Sequence, residues 1–99
     1  MKEKKLEEKI LLNLNIHQHM RAGKLGDMPG TYTTNTRYMM LGLTDLLVIN
    51  LIKGKFTWVE VKVDDNDLQD NQKEFRAMCE VCDEDHLVAR SLKDVLHLI

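Results

Sequence analysis

The first residues of the chain alternate apolar and charged positions with the period of an α-helix. The apolar positions that recur every four residues are Leu6, Ile10 and Leu14. Lysines and glutamates fill most of the positions between them, so the pattern predicts an amphipathic helix over residues 2–14. Glu3 and Glu7 lie along the apolar stripe, and we expect one or both to point inward.

The middle of the chain contains two apolar runs with strand character. Residues 46–51 are almost continuously apolar, whereas residues 56–63 alternate into a row of valines. The break at residues 52–55 predicts a hairpin turn, because Gly54 can adopt the positive φ that such turns need. These two runs are therefore expected to form an antiparallel pair.

The rest of the chain predicts one more strand in a long connection, a second helix, a short strand and a last helix. These segments are residues 31–40 within the connection 17–42, then 71–81, 87–89 and 91–99. In the second helix, Phe75, Met78 and either Cys79 or Cys82 are expected to face the core. The order α-β-β-β-α-β-α predicts an α/β domain with a small mixed sheet flanked by helices.

Composition agrees with one globular domain over residues 1–99. At 99 residues, 43% hydrophobic and 30% charged, the chain is too apolar for whole-chain disorder and too short for two domains. Two cysteines cannot form a disulfide framework, and no apolar run approaches the roughly 20 residues of a membrane span. We therefore expect a soluble, cytoplasmic protein.

The net charge of −2 conceals an asymmetry between the two halves. Residues 1–58 carry nine basic and five acidic side chains, whereas residues 59–99 carry five basic and eleven acidic ones. The acidic run at residues 64–70 is typical of a solvated loop. A general nucleic-acid signal would be a clearly basic domain. Any nucleic-acid binding would therefore depend on the basic first half, or on metal that offsets the carboxylates.

Three charged residues occupy the two apolar strands, where charge is costly unless it is used. They are Asp45, Glu60 and Lys62. A two-residue turn at Lys53 and Gly54 would place Asp45 directly opposite Lys62 and diagonal to Glu60, on one face of the hairpin. Two carboxylates beside an ammonium group are typical of metal-dependent hydrolysis, and oxygen ligands suit Mg²⁺ or Mn²⁺. The alternative is an ordinary cross-strand ion pair at the edge of the sheet.

Five short motifs around these residues give the chain a resemblance to a nuclease family. They are Gly42-Leu43-Thr44-Asp45, Val59-Glu60-Val61-Lys62, Leu68 to Gln72, and the ending Val88-Ala89-Arg90 followed by Ser91-Leu92-Lys93-Asp94. In this order and spacing the motifs resemble VRR-NUC domains, the virus-type replication-repair branch of the PD-(D/E)XK nuclease superfamily. The resemblance covers essentially residues 1–99 and is to the stand-alone phage or prophage form. It implies a restriction-endonuclease-like fold.

The resemblance implies a role for each matching residue. The implied metal ligands are Asp45, Glu60 and the carbonyl of Val61. The implied catalytic lysine, the helix glutamine near the water or the metal, and the acidic residue of the first helix are Lys62, Gln72 and either Glu3 or Glu7. The chain departs from the family pattern at Thr44, where proline is usual. It also departs at residues 83–86, which lack the glycine that normally precedes the last strand.

The activity that this resemblance implies is a Mg²⁺- or Mn²⁺-dependent endonuclease, which hydrolyses phosphodiester bonds in branched DNA such as four-way junctions. The expected DNA contacts are Lys24, Arg37 and Tyr38, each with a plain surface role as the alternative. One site cuts one strand, and both faces of the hairpin are apolar, so we also expect a homodimer. The rival interpretations are a non-catalytic DNA-binding or assembly module on the same fold and a sequence-specific restriction-type nuclease. A bacterial or phage-infected cell is the implied setting.

A second set of potential ligands lies elsewhere in the chain. Cys79-Glu80-Val81-Cys82 has the spacing of a zinc or redox motif, and His17 and His19 would complete four ligands. A single motif of this kind on an amphipathic helix favours buried or half-buried thiols instead.

Overall fold

The computed structural model describes residues 2–25 and 42–99 of the chain. In chain order its elements are α1 (Lys2–Asn15), β1 (Met20–Lys24), β2 (Leu46–Asn50), β3 (Lys55–Val61), α2 (Asp70–Val81), β4 (Asp85–Ala89) and a 3₁₀ helix (Leu92–Leu98). No helix within these two ranges has the length and apolar character to cross a bilayer.

The four strands form one mixed sheet in the order β1-β2-β3-β4. β1 and β3 both run antiparallel to β2, whereas β4 pairs parallel with β3 after the α2 crossover. The predicted α/β class, with a small mixed sheet and helices, is confirmed. Because β4 is parallel to β3, the carboxyl ends of both strands lie at the same edge of the sheet as the start of β2.

The core lies between one face of the sheet and the two elements that cover it, α1 and the 3₁₀ helix. Its residues are Ile10, Leu14, Met20, Leu46, Val48, Val59, Val61, Ala89 and Val95. Full burial of a large apolar side chain stabilises the folded state by roughly 1.5–3 kcal/mol. This face therefore supplies most of the driving force for folding. The predicted stripe on α1 is confirmed, since Leu6 packs against this core beside the buried Ile10 and Leu14.

The opposite face of the sheet is covered only in part by α2. Phe75 packs edge-on against Trp58, with ring centroids 5.6 Å apart, and Cys79 is also buried. Met78 is 53% exposed and Cys82 is exposed, so the expectation that Met78 faces the core is wrong. The reason is that α2 rests mainly on the edge strand β4, which buries only a narrow stripe of the helix.

The turn between β2 and β3 is longer than the sequence predicts. Asn50 pairs with Lys55, so four residues form the turn instead of two. The Asn50 side chain is the cause, because its Oδ1 accepts hydrogen bonds from the backbone N–H groups of Ile52 and Lys53 at 3.1 and 2.9 Å. Gly54 completes the turn with a φ of 63°.

The longer turn shifts the register of the hairpin by two residues. Leu46 pairs with Val59, and the same register one step further places Asp45 opposite Glu60. The predicted pairing of Asp45 with Lys62 is therefore wrong. A shift of two residues leaves every side chain on its expected face, because side chains alternate with period two. Glu60 and Lys62 therefore still share one face beside the start of β2.

Two further elements differ from the sequence-based expectation. Strand β1 was not predicted, because Met20–Lys24 contains no β-branched residue and becomes a strand through pairing with β2. The strand expected at residues 31–40 lies outside the described residues. The last helix is 3₁₀ rather than α, and it begins with a capping box: Asp94 accepts a hydrogen bond from the Ser91 N–H at 3.1 Å.

Candidate active site

Asp45 lies at the hairpin end away from the turn, where the start of β2 meets the end of β3. Its Oδ2 accepts a hydrogen bond from the Val61 backbone N–H at 2.8 Å, which holds the carboxylate against β3. The preceding residue, Thr44, is 3% exposed, and its hydroxyl donates to the Leu46 carbonyl at 3.1 Å. Thr44 therefore fixes the entry into β2 by a hydrogen bond, in the position where the family pattern has proline.

Glu60 is an almost fully buried carboxylate, with 2% of the residue exposed. Its Oε1 accepts a hydrogen bond from Gln72 Nε2 at 3.1 Å. Its Oε2 is also buried, and it has no hydrogen-bond partner among the described residues. A buried acceptor without a partner costs about 1–3 kcal/mol, and more when it is charged. Oε2 therefore requires either a proton or a cation.

Burial raises the pKa of Glu60 from 4.5 to about 8. Desolvation is the largest cause, the neighbouring Asp45 carboxylate adds to it, and Lys62 acts in the opposite direction. Two adjacent carboxylates resist being charged together. In the absence of a bound cation, Glu60 therefore retains a proton at neutral pH.

Lys62 follows two residues after Glu60 and is 8% exposed. Its backbone N–H donates to the Ala89 carbonyl at 3.0 Å, which extends the β3–β4 pairing by one step. No ion pair within residues 2–25 and 42–99 engages its ammonium group. The cross-strand ion pair with Asp45, the alternative interpretation of this pattern, is therefore not formed. The buried positive charge remains on the same face as the Glu60 carboxylate.

The first two turns of α1 bring two more carboxylates to the site. One oxygen each from Glu3, Glu7 and Asp45 lies within 4.8 Å of the others, and all three residues are half-buried. The pKa of Glu7 is raised by burial and then by Asp45, while Lys24 opposes the shift. The sequence left open whether Glu3 or Glu7 serves the site, and both lie close to Asp45.

Lys24, an expected DNA contact, lies beside this acidic cluster. Its Nζ lies 3.7 Å from Glu7 Oε2, with the two side chains 27% and 14% exposed. It arrives there because β1 ends at Lys24, opposite Leu46 at the start of β2. The sequence gives no signal for this contact, since β1 itself was not predicted. The other expected DNA contacts, Arg37 and Tyr38, lie outside the described residues.

Gln72 connects α2 to the site through both ends of its amide. Its Oε1 accepts a hydrogen bond from the Gln69 N–H at 2.8 Å, as part of the helix capping box, and its Nε2 donates to Glu60. Gly42 lies against the same turn with a φ of 78°, and a Cβ there would collide with the Asn71 carbonyl. The glycine of the first motif therefore permits the segment before β2 to approach α2 closely.

The cysteines and histidines of the described residues are not grouped as metal ligands. In the described parts of the chain, the acidic cluster is the only group of three or more side chains placed to bind an ion. Cys79 is buried, which raises the pKa of its thiol, whereas Cys82 is exposed. His17 and His19 contact each other, with ring centroids 5.8 Å apart. The interpretation of Cys79 as a buried thiol agrees with this arrangement.

Comparison with known proteins adds no relative: the chain matches no protein-family model, and no curated protein and no solved structure was found to be similar to it. The family and the activity are therefore proposals that depend on the sequence motifs and on the geometry of the site.

Proposed function

We propose that this protein is a divalent-metal-dependent DNA endonuclease, with a restriction-endonuclease-like fold of the VRR-NUC type. The observation that supports the proposal most is the buried carboxylate of Glu60, whose Oε2 has no partner among the described residues. Acidic clusters at a surface are common without an ion. A buried carboxylate beside Asp45, with the buried Lys62 two residues further on, is costly for a protein that makes no use of it.

The donor atoms at the site fit Mg²⁺ or Mn²⁺, because both ions prefer oxygen ligands. By resemblance, Asp45, Glu60 and the carbonyl of Val61 would hold the ion. Glu3 or Glu7 would contribute from α1, since their carboxylates cluster with that of Asp45. When bound, such an ion supplies Lewis acidity toward a phosphodiester group.

Hydrogen bonds within the chain hold the two carboxylates of the site in place. Gln72 fixes Glu60, and the Val61 N–H fixes Asp45, so both carboxylates are positioned before any ligand arrives. Lys62 provides a positive charge that stabilises the negative charge developing on the phosphoryl oxygens. By resemblance, hydrolysis leaves a 5′-phosphate and a 3′-hydroxyl.

We propose further that the enzyme is a homodimer that acts on branched DNA. Symmetric cutting of a four-way junction requires two sites related by a two-fold axis. The sheet face opposite the core supports a dimer, since Phe56 is 50% exposed and its cross-strand partner Ile49 is only half-buried. DNA contacts at Lys24, Arg37 and Tyr38, and a bacterial or phage-infected cell as the setting, belong to the same proposal.

Cleavage of labelled DNA tests the proposal. Wild-type protein is expected to cut a four-way junction in Mg²⁺ or Mn²⁺ and to leave it intact in EDTA or Ca²⁺. Lys62→Met keeps most of the side-chain volume but removes the charge, so the rate should fall by about 100-fold or more. Lys93→Met, an exposed lysine on the 3₁₀ helix, is the matched control and should cut at the wild-type rate.

The same assay separates the endonuclease from its rivals. Folded wild-type protein that binds the junction but cuts no DNA in any metal would indicate the non-catalytic binding module. Cleavage that requires one base sequence in linear duplex would indicate the restriction-type enzyme. Full activity of Lys62→Met would contradict the assigned site.

A further inference from the structure

A cavity of about 340 Å³ lies at the turn end of the hairpin, at the opposite end of the strands from Glu60. It is bounded by β2, β3 and β4 on one side and by the end of the 3₁₀ helix on the other. Small-molecule pockets typically measure about 300–1,000 Å³, so this cavity is large enough for one compact organic ligand. It shares no residue with the candidate active site.

Two buried polar residues lie on the sheet side of the cavity. Asn50 and Thr57 are 4% and 5% exposed, on the same face of the sheet where Val48 and Val59 form the core further along. Asn50 Nδ2 donates to the Leu98 carbonyl at 3.0 Å, which connects the hairpin turn to the 3₁₀ helix. This bond joins the two walls of the cavity.

The charged side chains at the rim of the cavity leave one positive charge unpaired. Lys53 and Lys55 line it, and the one carboxylate among its described lining residues, Asp85, pairs with Lys55 at 3.6 Å. Within the described ranges no ion pair engages Lys53. The carboxylates of the active site lie at the other end of the hairpin. The cavity therefore favours an anion over a cation.

We propose that this cavity binds a small phosphomonoester with an apolar body, the chemical class to which nucleoside monophosphates belong. The apolar body would contact the half-buried Leu87 and Leu98, and the phosphate group would contact Lys53. A phosphate–ammonium contact is a charge-assisted hydrogen bond, which accounts for the preference for an anion. The apolar wall accounts for the organic part of the ligand. This site goes beyond the proposed nuclease activity and does not depend on it.

Titration of deoxyadenosine 5′-monophosphate into isotope-labelled protein, followed by NMR in EDTA, tests the site. EDTA removes divalent ions, so binding at the acidic cluster does not contribute. The backbone amide signals of Lys53, Thr57 and Leu98 are expected to shift, whereas that of Glu60 should stay in place. Absence of shifts at these three amides at millimolar nucleotide would overturn the proposal.

Variants and partial ligands test which parts of the ligand are recognised. Lys53→Ala, in the exposed turn, should weaken binding by about tenfold, the size expected for one lost charge-assisted bond. Lys93→Ala, on the 3₁₀ helix but outside the cavity, should bind as the wild type does. Deoxyadenosine and inorganic phosphate should each bind at least tenfold more weakly. Equal affinity of the two lysine variants, or of either partial ligand and the nucleotide, would contradict the proposed recognition.

Discussion

The buried carboxyl group of Glu60 should destabilise the metal-free protein at neutral and alkaline pH. Glu60→Gln replaces it with a neutral group of the same shape. The glutamine keeps an oxygen that accepts from Gln72, and it places an N–H group where Oε2 now has no partner. The nearby Asp45 carboxylate is a ready acceptor for that N–H group. We therefore expect Glu60→Gln to be more stable than the wild type when no divalent ion is present.

The size of the effect follows from the pKa of Glu60, which is about 8 in the folded protein and near 4.5 in the unfolded chain. Below pH 4.5 the side chain is neutral in both states, so folding carries no penalty. As the pH rises from 4.5 to 8, the folded protein retains a proton that the unfolded chain releases, and stability falls. At about 1.4 kcal/mol per pH unit, the loss reaches about 3 kcal/mol at pH 7 and on the order of 4–5 kcal/mol above pH 8.

Urea unfolding in EDTA, followed by the fluorescence of Trp58, measures this difference, because Trp58 is the only tryptophan in the chain. The free energies of unfolding of Glu60→Gln and the wild type should diverge steadily from about pH 5 to about pH 8. Glu74→Gln, an exposed position on α2, is the control and should follow the wild type. Identical pH dependence of Glu60→Gln and the wild type would refute the reasoning. Saturating Mg²⁺ should stabilise the wild type more than the variant, since an ion that binds only the folded state raises its stability.

Three further predictions concern other parts of the structure. Lys24→Ala removes the cation beside Glu7 and should lower the free energy of unfolding in EDTA by about 1 kcal/mol. An unchanged urea midpoint would show that the pair contributes nothing. Gly42→Ala should lower the free energy of unfolding by at least about 2 kcal/mol, because a Cβ meets the Asn71 carbonyl. An unchanged melting temperature would contradict this packing. In light scattering, the wild type should have twice the 11.5 kDa mass of one chain, and Phe56→Lys should have the mass of a single chain. A wild-type mass near 11.5 kDa would contradict the proposed dimer.

The meeting of Glu60 and Lys62 on one face could be predicted even though the predicted pairing was wrong. The pairing depended on the turn, and the turn depends on hydrogen bonds that the Asn50 side chain accepts, which strand patterns do not reveal. The shared face depends only on the period-two alternation of a strand, which a shift by two residues preserves. For this reason the composition of the site was more predictable than its cross-strand geometry.

The parts that could not be predicted depend on tertiary contacts. Strand β1 has no strand-like composition, and it exists because β2 offers it a partner. The ion pair of Lys24 with Glu7 follows from β1, so it was missed for the same reason. The exposure of Met78 is a property of where α2 rests on the sheet, which helical periodicity alone does not determine.

At residue 72, the contact with Glu60 distinguishes glutamine from glutamate, whereas the start of α2 does not. A capping box accepts glutamate as readily as glutamine, because only a side-chain oxygen is needed. Glutamate at residue 72 would therefore preserve the start of α2, yet it would bring a further negative charge against the carboxylate that now receives a hydrogen bond. The nitrogen of this one side chain has no role in starting the helix, and its contact with Glu60 makes the first turn of α2 a structural part of the site.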